Sequence, residues 1–200
     1  MKISSVVVGN VQTNCYVVIN EATNESVLID PGANPERIAP LLGDSHCVGV
    51  LLTHGHFDHI GAADIFCERY QAPLYIHAQD EEMLLDKHKN GSADFGADAQ
   101  VHTKAHLVAD GDCITLAGIP FTVMHTPGHS LGGVCYFLPD GQGVFCGDTL
   151  FAGGYGRTDL YGGDFHTLKN SLRKLVLYPQ KITAYPGHGG TTTCGRNATC

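Results

Sequence analysis

Residues 53–59 read Thr-His-Gly-His-Phe-Asp-His, which places three imidazoles and a carboxylate within six consecutive positions. The apolar run Val48-Gly49-Val50-Leu51-Leu52 precedes them directly. Such a run is too short for a helix and ends at a glycine-containing turn, so it reads as a buried strand with the polar cluster at its C-terminal end. The fold must therefore hold a rigid strand inside and deliver its end to a surface loop, where sites are built. Neutral imidazole and ionised carboxylate suit zinc, iron and related divalent ions. His54 and His56 can converge on one ion while Asp58 and His59 point to a second. A loop rich in histidine by chance is the weaker reading, because tight ligand spacing is the strongest sequence sign of a metal site.

Two hundred residues suit one domain spanning 1–200. Hydrophobic residues make up 43% and charged residues 16%, so no disordered tail is expected. A formal charge of -8 makes the surface repel phosphate backbones and anionic lipid, which argues against nucleic acid and membrane as partners. Residues 1–9 lack the apolar core and cleavage site of a signal peptide, and no run approaches a membrane span, so the cytoplasm is the expected location. The eight cysteines are scattered without a C-x-x-C pair and read as buried free thiols, a Cys194–Cys200 pair being the minor alternative. No oligomeric state is implied.

Val6 to Val8, Tyr16 to Ile19 and Ser26 to Ile29 read as strands, broken by Asp30-Pro31-Gly32. Pro35 to Leu42 offers a short helix before the cluster-bearing strand, and Ile60, Ala63, Phe66 and Tyr70 recur at helical spacing after it. Leu74 to Ile76 reads as a strand, Gln79 to Asp86 as a polar helix, and His88 to Lys104 as a surface loop that can act as a flap over the site. Strands follow over Cys113–Leu116, Pro120–Met124, Gly133–Leu138 and Val144–Cys146. A helix capped by Asp164 presents Phe165, Leu168, Leu172, Leu175 and Val176 on one face, and Lys181 to Tyr185 is the last strand. Strands and helices recur twice in this order, which implies two sheet-plus-helix halves packed sheet against sheet.

Three further polar groups sit at expected strand ends: His129 in Thr-Pro-Gly-His-Ser, Asp148 in Gly-Asp-Thr, and His188 in Pro-Gly-His-Gly. Glycine beside each lets backbone turn sharply and approach an ion. Each is weak alone, since Gly-Asp-Thr in a turn is more often an Asx turn than a ligand.

In this order, T-H-G-H-F-D-H, T-P-G-H-S, G-D-T and P-G-H-G resemble the metallo-β-lactamase superfamily over nearly the whole chain. The resemblance implies the α+β class and an αββα four-layer sandwich. It also implies the ligand sets: His54, His56 and His129 for one divalent ion, Asp58, His59 and His188 for the other, and Asp148 between them. Zinc is the first expectation for both ions, with iron or manganese as alternatives.

Gln12 to Tyr16, Gly147 to Phe151, Gly156-Arg157-Thr158-Asp159-Leu160 and Gly162-Gly163-Asp164 resemble the glyoxalase II (hydroxyacylglutathione hydrolase) group, particularly its short bacterial members. That resemblance implies a small-molecule thioester such as S-lactoylglutathione as substrate, cleaved by a metal-bridging hydroxide that Asp58, as catalytic residue, also orients. Residues 194–200 depart from the tail of the short members. Twelve residues follow His188, so the C-terminal helices that help full-length members hold glutathione are expected to be missing.

The alternatives are a mononuclear iron persulfide dioxygenase, which shares the Gly156 to Asp159 loop, another hydrolase of the superfamily such as a lactonase, and a metal-binding scaffold without catalysis. His125 is the expected outer partner of a ligand imidazole. Arg157 and Asp159 are expected to form an internal ion pair that fixes their loop. His46, His77, His88, His102, His106 and His166 are expected to be solvated or to act as outer partners.

Overall fold

Successive side chains of a strand point to opposite faces, so a strand covered on both sides reads as a nearly unbroken apolar run. The central strands here have that character, and the result is a sandwich with an inner and two outer cores. The computed structural model describes residues 1–178 and 181–195. Its first sheet has the order β1 (Lys2–Val8), β2 (Thr13–Asn20), β3 (Glu25–Ile29), β4 (His46–Leu51), β5 (Leu74–His77) and β6 (Ala105–Val108). The first three strands run antiparallel and β3 to β6 parallel. Parallel neighbours need crossovers. Helix α1 (Pro35–Leu42) joins β3 to β4, while α2 (Phe57–Ile60) and α3 (Ala63–Tyr70) join β4 to β5.

The second sheet holds β7 (Cys113–Leu116), β8 (Ile119–His125), β9 (Val134–Phe137), β10 (Val144–Gly147), β11 (Ile182–Pro186) and β12 (Thr192–Cys194) as neighbours in that order. It is antiparallel except for the β10–β11 pair, which α4 (Phe165–Val176) connects. Between the sheets, Tyr16, Val18, Ile29 and Leu51 pack against Phe121, Val123, Tyr136 and Phe145. The alternate residues face outward: Val17, Leu28 and Val50 meet Ile38 of α1 and Phe66 of α3, and Cys135, Val144 and Cys146 meet Leu175 of α4. The layering is helix, sheet, sheet, helix, as the resemblance implied.

Local departures from the sequence reading have physical causes. The helix expected through Ile60 to Tyr70 is broken in two because the Ala62 amide donates to the Pro31 carbonyl (2.8 Å) instead of continuing the helical ladder. The segment expected as a helix over Gln79–Asp86 is a 3₁₀ helix over Ala78–Leu84. Its threefold repeat puts Asp80 and Met83, both fully buried, on one side against the Gly55 turn. Strands β6 and β12 lie at sheet edges; β6 exposes His106 and Leu107, and β12 is short, so neither carries a clear alternating signal.

Asp164 caps α4 as read, accepting from the Thr167 amide at 2.7 Å. Cys15, Cys47, Cys67, Cys135 and Cys146 are buried free thiols and Cys113 an exposed one. The Cys194–Cys200 alternative falls partly outside the described residues. Among the described residues no helix is long and apolar enough to cross a membrane.

Candidate metal centre

Parallel pairing brings strand ends together, and the site is built on that fact. Strands β3 and β4 finish side by side, where the Thr53 amide and hydroxyl donate to the two oxygens of Asp30 (2.8 and 2.6 Å). Strands β10 and β11 finish side by side in the other sheet, where the Gly187 amide donates to the Gly147 carbonyl at 2.8 Å. Two backbone bonds stitch the sheets together at this rim: Val134 to the Thr53 carbonyl (2.8 Å) and Asn14 to the Gly187 carbonyl (2.7 Å). The side chain at 187 must be hydrogen, since a Cβ there would lie 2.1 Å from Asp148 Oδ1 and 2.7 Å from His59 Cε1.

All seven residues singled out in the sequence meet at this rim. Donor atoms of His54, His56 and His129 lie within 4.8 Å of one another, and so do those of Asp58, His59 and His188. His54, His59 and Asp148 form an overlapping set within the same limit. Asp148 stands between the two groups, with Oδ2 at 3.4 Å from His129 Nε2 and 3.5 Å from His188 Nε2, and Oδ1 at 3.5 Å from His59 Nε2. Asp58 Oδ2 lies 3.3 Å from His188 Nε2 and 3.4 Å from His59 Nε2, and accepts from the Thr13 hydroxyl at 2.6 Å.

The outer nitrogens of four of the imidazoles already have partners that can only accept, or that are committed to accepting. His59 Nδ1 faces Asp30 Oδ2 (2.9 Å), His129 Nδ1 the Arg157 carbonyl (2.7 Å), and His188 Nδ1 the Gln12 carbonyl (3.3 Å). His54 Nδ1 faces the Thr53 hydroxyl at 3.1 Å, whose own proton goes to Asp30. Each outer nitrogen therefore carries a proton, and Nε2 is the atom that each ring turns into the cluster, where it is free to ligate once any proton on it is displaced.

Nε2 of His54, His56 and His59 and Oδ1 of Asp148 are buried without any hydrogen-bond partner. His56 Nδ1 and His129 Nε2 lie 2.9 Å apart, two nitrogens competing for one proton. Buried polar atoms are ordinarily satisfied, so a set of convergent lone pairs left open fits divalent cations and little else. The cluster implies metal ions.

In the metal-free protein the imidazoles divide, two kept neutral by crowding and two held protonated by the carboxylates. Burial, and then the neighbouring imidazoles His59 and His129, push His54 down; burial and His129 push His56 down to about 3. His59 is raised to about 9 and His188 to about 10, burial being outweighed by Asp58 and Asp148. Asp58 is held well below the usual carboxylate range and Asp148 is lowered too, burial in each case being overcome first by His59.

These shifts set a stability profile for the metal-free protein. Raised groups stabilise the fold below their unfolded pKa and lose that contribution as pH rises through the folded one, so the share of His59 and His188 drains away from about pH 6.5 toward about pH 10. Depressed His54 and His56 act oppositely: below about pH 6.5 the unfolded chain binds protons that the fold refuses, and stability falls. Thermal unfolding in chelator is expected to peak near neutral-to-slightly-acidic pH and to decline on both sides. Added metal abolishes the alkaline decline, because bound imidazoles are neutral. A metal-free profile that is flat from about pH 5 to about pH 10 contradicts this account.

His125 is not an outer partner of the cluster. It stacks on His77 (centroids 4.1 Å apart) and its Nε2 faces the Leu131 carbonyl at 2.9 Å. That role falls to Asp30, read from sequence only as a strand breaker, and to the Arg157 carbonyl. Asp30 takes a left-handed backbone (φ 52°), which Asp tolerates better than most residues and which swings its carboxylate under His59.

Asp80 is the other residue the sequence did not reveal. Fully buried, it accepts from the Gly55 amide (3.0 Å), the Ser130 hydroxyl (2.7 Å) and the Gly132 amide (2.5 Å), and so ties the His54–His56 turn to the His129 loop. The pair Arg157–Asp159 exists, bidentate at 2.7 and 2.8 Å, but at the surface rather than inside.

An αββα sandwich with such a cluster at the rim between its sheets defines a class, the metal-dependent enzymes whose site is assembled from strand-end loops of paired sheets. The metallo-beta-lactamase superfamily pattern matches residues 8–188, and the chain belongs to that superfamily. It is 35% identical to the probable metallo-hydrolase YqgX of Bacillus subtilis over 96% of this chain and 92% of that one. It is 32% identical to the hydroxyacylglutathione hydrolase GloC of Haemophilus influenzae, over 98% and 94%. Among solved structures, BLEG-1 B3 metallo-beta-lactamase superposes with a TM-score of 0.91 at 36% identity, over 96% and 94% of the two chains. TTHA1623 in a di-iron-bound form gives 0.84 at 36% identity, over 95% and 94%. The chain is a metallo-hydrolase by family.

Proposed function

We propose that this metallo-hydrolase cleaves small-molecule thioesters of the S-lactoylglutathione type in the cytoplasm, as a single domain with two divalent ions, zinc first, held by the seven residues above. The observation that carries the reading is an open cluster. His56, Asp58, His129, Asp148 and His188 form the floor of a cleft of about 280 Å³, so a substrate can reach them, whereas a purely structural metal site is closed. Similarity to GloC supports the thioester, and the net charge of -8 speaks against nucleic acid.

A pair of bound divalent ions would supply a water ionised near neutral pH and a Lewis acid for the carbonyl. This chain's own residues do the rest. Asp58, ionised and facing the cleft, accepts a water proton in a hydrogen bond and orients that water toward the acyl carbon. Thr13 holds Asp58 in place at 2.6 Å. Phe57, Phe151 and Leu160 line the cleft and give a bound substrate apolar surface to pack against. A thiolate leaves with a pKa of roughly 8.5, so no histidine is required as general acid.

The di-iron relative favours a second metal assignment, and the B3 relative a second substrate class, lactams. One comparison separates them: protein of measured metal content is given S-lactoylglutathione, a β-lactam, and glutathione persulfide with oxygen monitored. Thiol release at a turnover of roughly 1 s⁻¹ or faster, the ordinary enzyme range, with little lactam opening and no oxygen uptake, is the expected result. Oxygen uptake on the persulfide, or faster lactam opening, replaces the reading.

A further inference from the structure

The cleft floor is polar, yet its walls are not. Val11, Phe57, Phe95, Phe151 and Leu160 line them. Phe57 and Phe95 meet at a tilt of 34° with ring centroids 5.0 Å apart, and Phe95 is 54% exposed, an aromatic edge offered at the cleft mouth. Past Val11, Phe57, Asp58 and Phe95 the cleft continues into a second hollow of about 440 Å³, bounded by residues 9–11, 32–34 and 97–99. The further charge that this second hollow adds is negative, Asp98.

Among the described residues lining either hollow, the one lysine or arginine is Arg157, whose Nε and Nη2 both donate to Asp159, so its charge is already matched by a carboxylate. A tripeptide thiol such as glutathione bears two carboxylates and one ammonium. Laid along these walls, its carboxylates would lose water against phenyl rings and meet Asp98, with the neutral side chains of Asn10 and Asn34 but no unpaired lysine or arginine to receive them.

We propose that the preferred thioester carries an uncharged, apolar thiol half, seated against Val11, Phe57 and Phe95, rather than an anionic peptide thiol. This deepens the thioester-hydrolase reading and rests on it. The step is hydrolysis alone: water's oxygen bonds to the acyl carbon, the carbon–sulfur bond breaks, sulfur leaves with the bonding pair and takes up a proton, and nothing is oxidised or reduced. Burial of an aromatic thiol replaces the charge pairing that the cleft does not offer.

The test holds the acyl group constant. S-lactoylglutathione and the lactoyl thioester of benzyl mercaptan are compared on the same metal-quantified protein, each rate divided by that thioester's uncatalysed hydrolysis. The benzyl thioester is expected to show a higher kcat/KM by roughly tenfold or more, the scale of a few apolar contacts in a pocket. Phe95→Ala lowers that ratio chiefly through KM, and Phe95→Lys shifts it toward the glutathione thioester. An equal or better kcat/KM for S-lactoylglutathione overturns the proposal while leaving the thioester reading intact. Failure of both thioesters on metal-loaded protein overturns the thioester reading itself.

Discussion

An Asp148→Ala protein is expected to fold, to lose most of its metal, and to lose hydrolytic activity by roughly 10³-fold or more, the scale seen when one member of a cooperating catalytic set is removed. The side chain is 10% exposed and faces three imidazoles at 3.4 to 3.5 Å, so it is the one carboxylate that both ligand groups share. Its backbone is held separately, the carbonyl accepting from the Gly156 amide at 3.0 Å, and truncation leaves that contact alone. The metal-free protein gives a readout that does not depend on turnover. With Asp148 gone, His59 and His188 lose one of the carboxylates that raise them, and the alkaline decline in stability moves to lower pH. Asp148→Asn keeps the volume and removes the charge, and is expected to resemble the alanine variant in metal content. Metal content and rate close to those of the parent in both variants would remove Asp148 from the site.

Much of this site is legible in the sequence because its most informative part is local. Four donors in six residues at the end of an apolar run leave few readings, and His129, Asp148 and His188 each sit in a glycine turn after a strand. What the sequence does not display is what holds those donors. Asp30 looks like a strand breaker in Asp-Pro-Gly, yet parallel pairing of β3 and β4 sets it beside Thr53 and under His59. Asp80 sits in a polar stretch that reads as solvent-facing, and its burial is decided by loops of both sheets that converge on it.

His125 fails as a partner for the converse reason. Its nearness in sequence to His129 does not survive the turn at Thr126-Pro127-Gly128, which sends the two rings to different neighbours. The sandwich itself follows from apolar strands and intervening amphipathic helices. Strands β6 and β12 escape notice because an edge strand pairs on one side and need not bury both faces.

Gly32→Ala is expected to be the most damaging single methyl group that can be added near the site, costing roughly 3 kcal/mol or more, as overpacking against an immovable neighbour does. A Cβ at position 32 would fall 1.5 Å from the Asp58 carbonyl oxygen, 2.5 Å from its carbon and 3.2 Å from the His59 amide. These are backbone atoms of α2, which cannot rotate away as a side chain can. The same turn receives the Ala62 amide through the Pro31 carbonyl, and a Cβ on Gly61 would meet the Gly32 carbonyl at 2.5 Å, so the two segments touch along their backbones. Relief requires α2 to slide off the Asp30-Pro31-Gly32 turn, carrying Asp58 and His59 away from His188 and Asp148. Denaturant unfolding and metal titration should therefore change together, with the protein both less stable and weaker in metal binding. Gly190→Ala is the matched control: its Cβ would meet nothing within 4 Å and its backbone is not left-handed, so both measurements should stay close to the parent. Stability lost without any weakening of metal binding would show that α2 yields elsewhere, and that the turn does not position the carboxylate it touches.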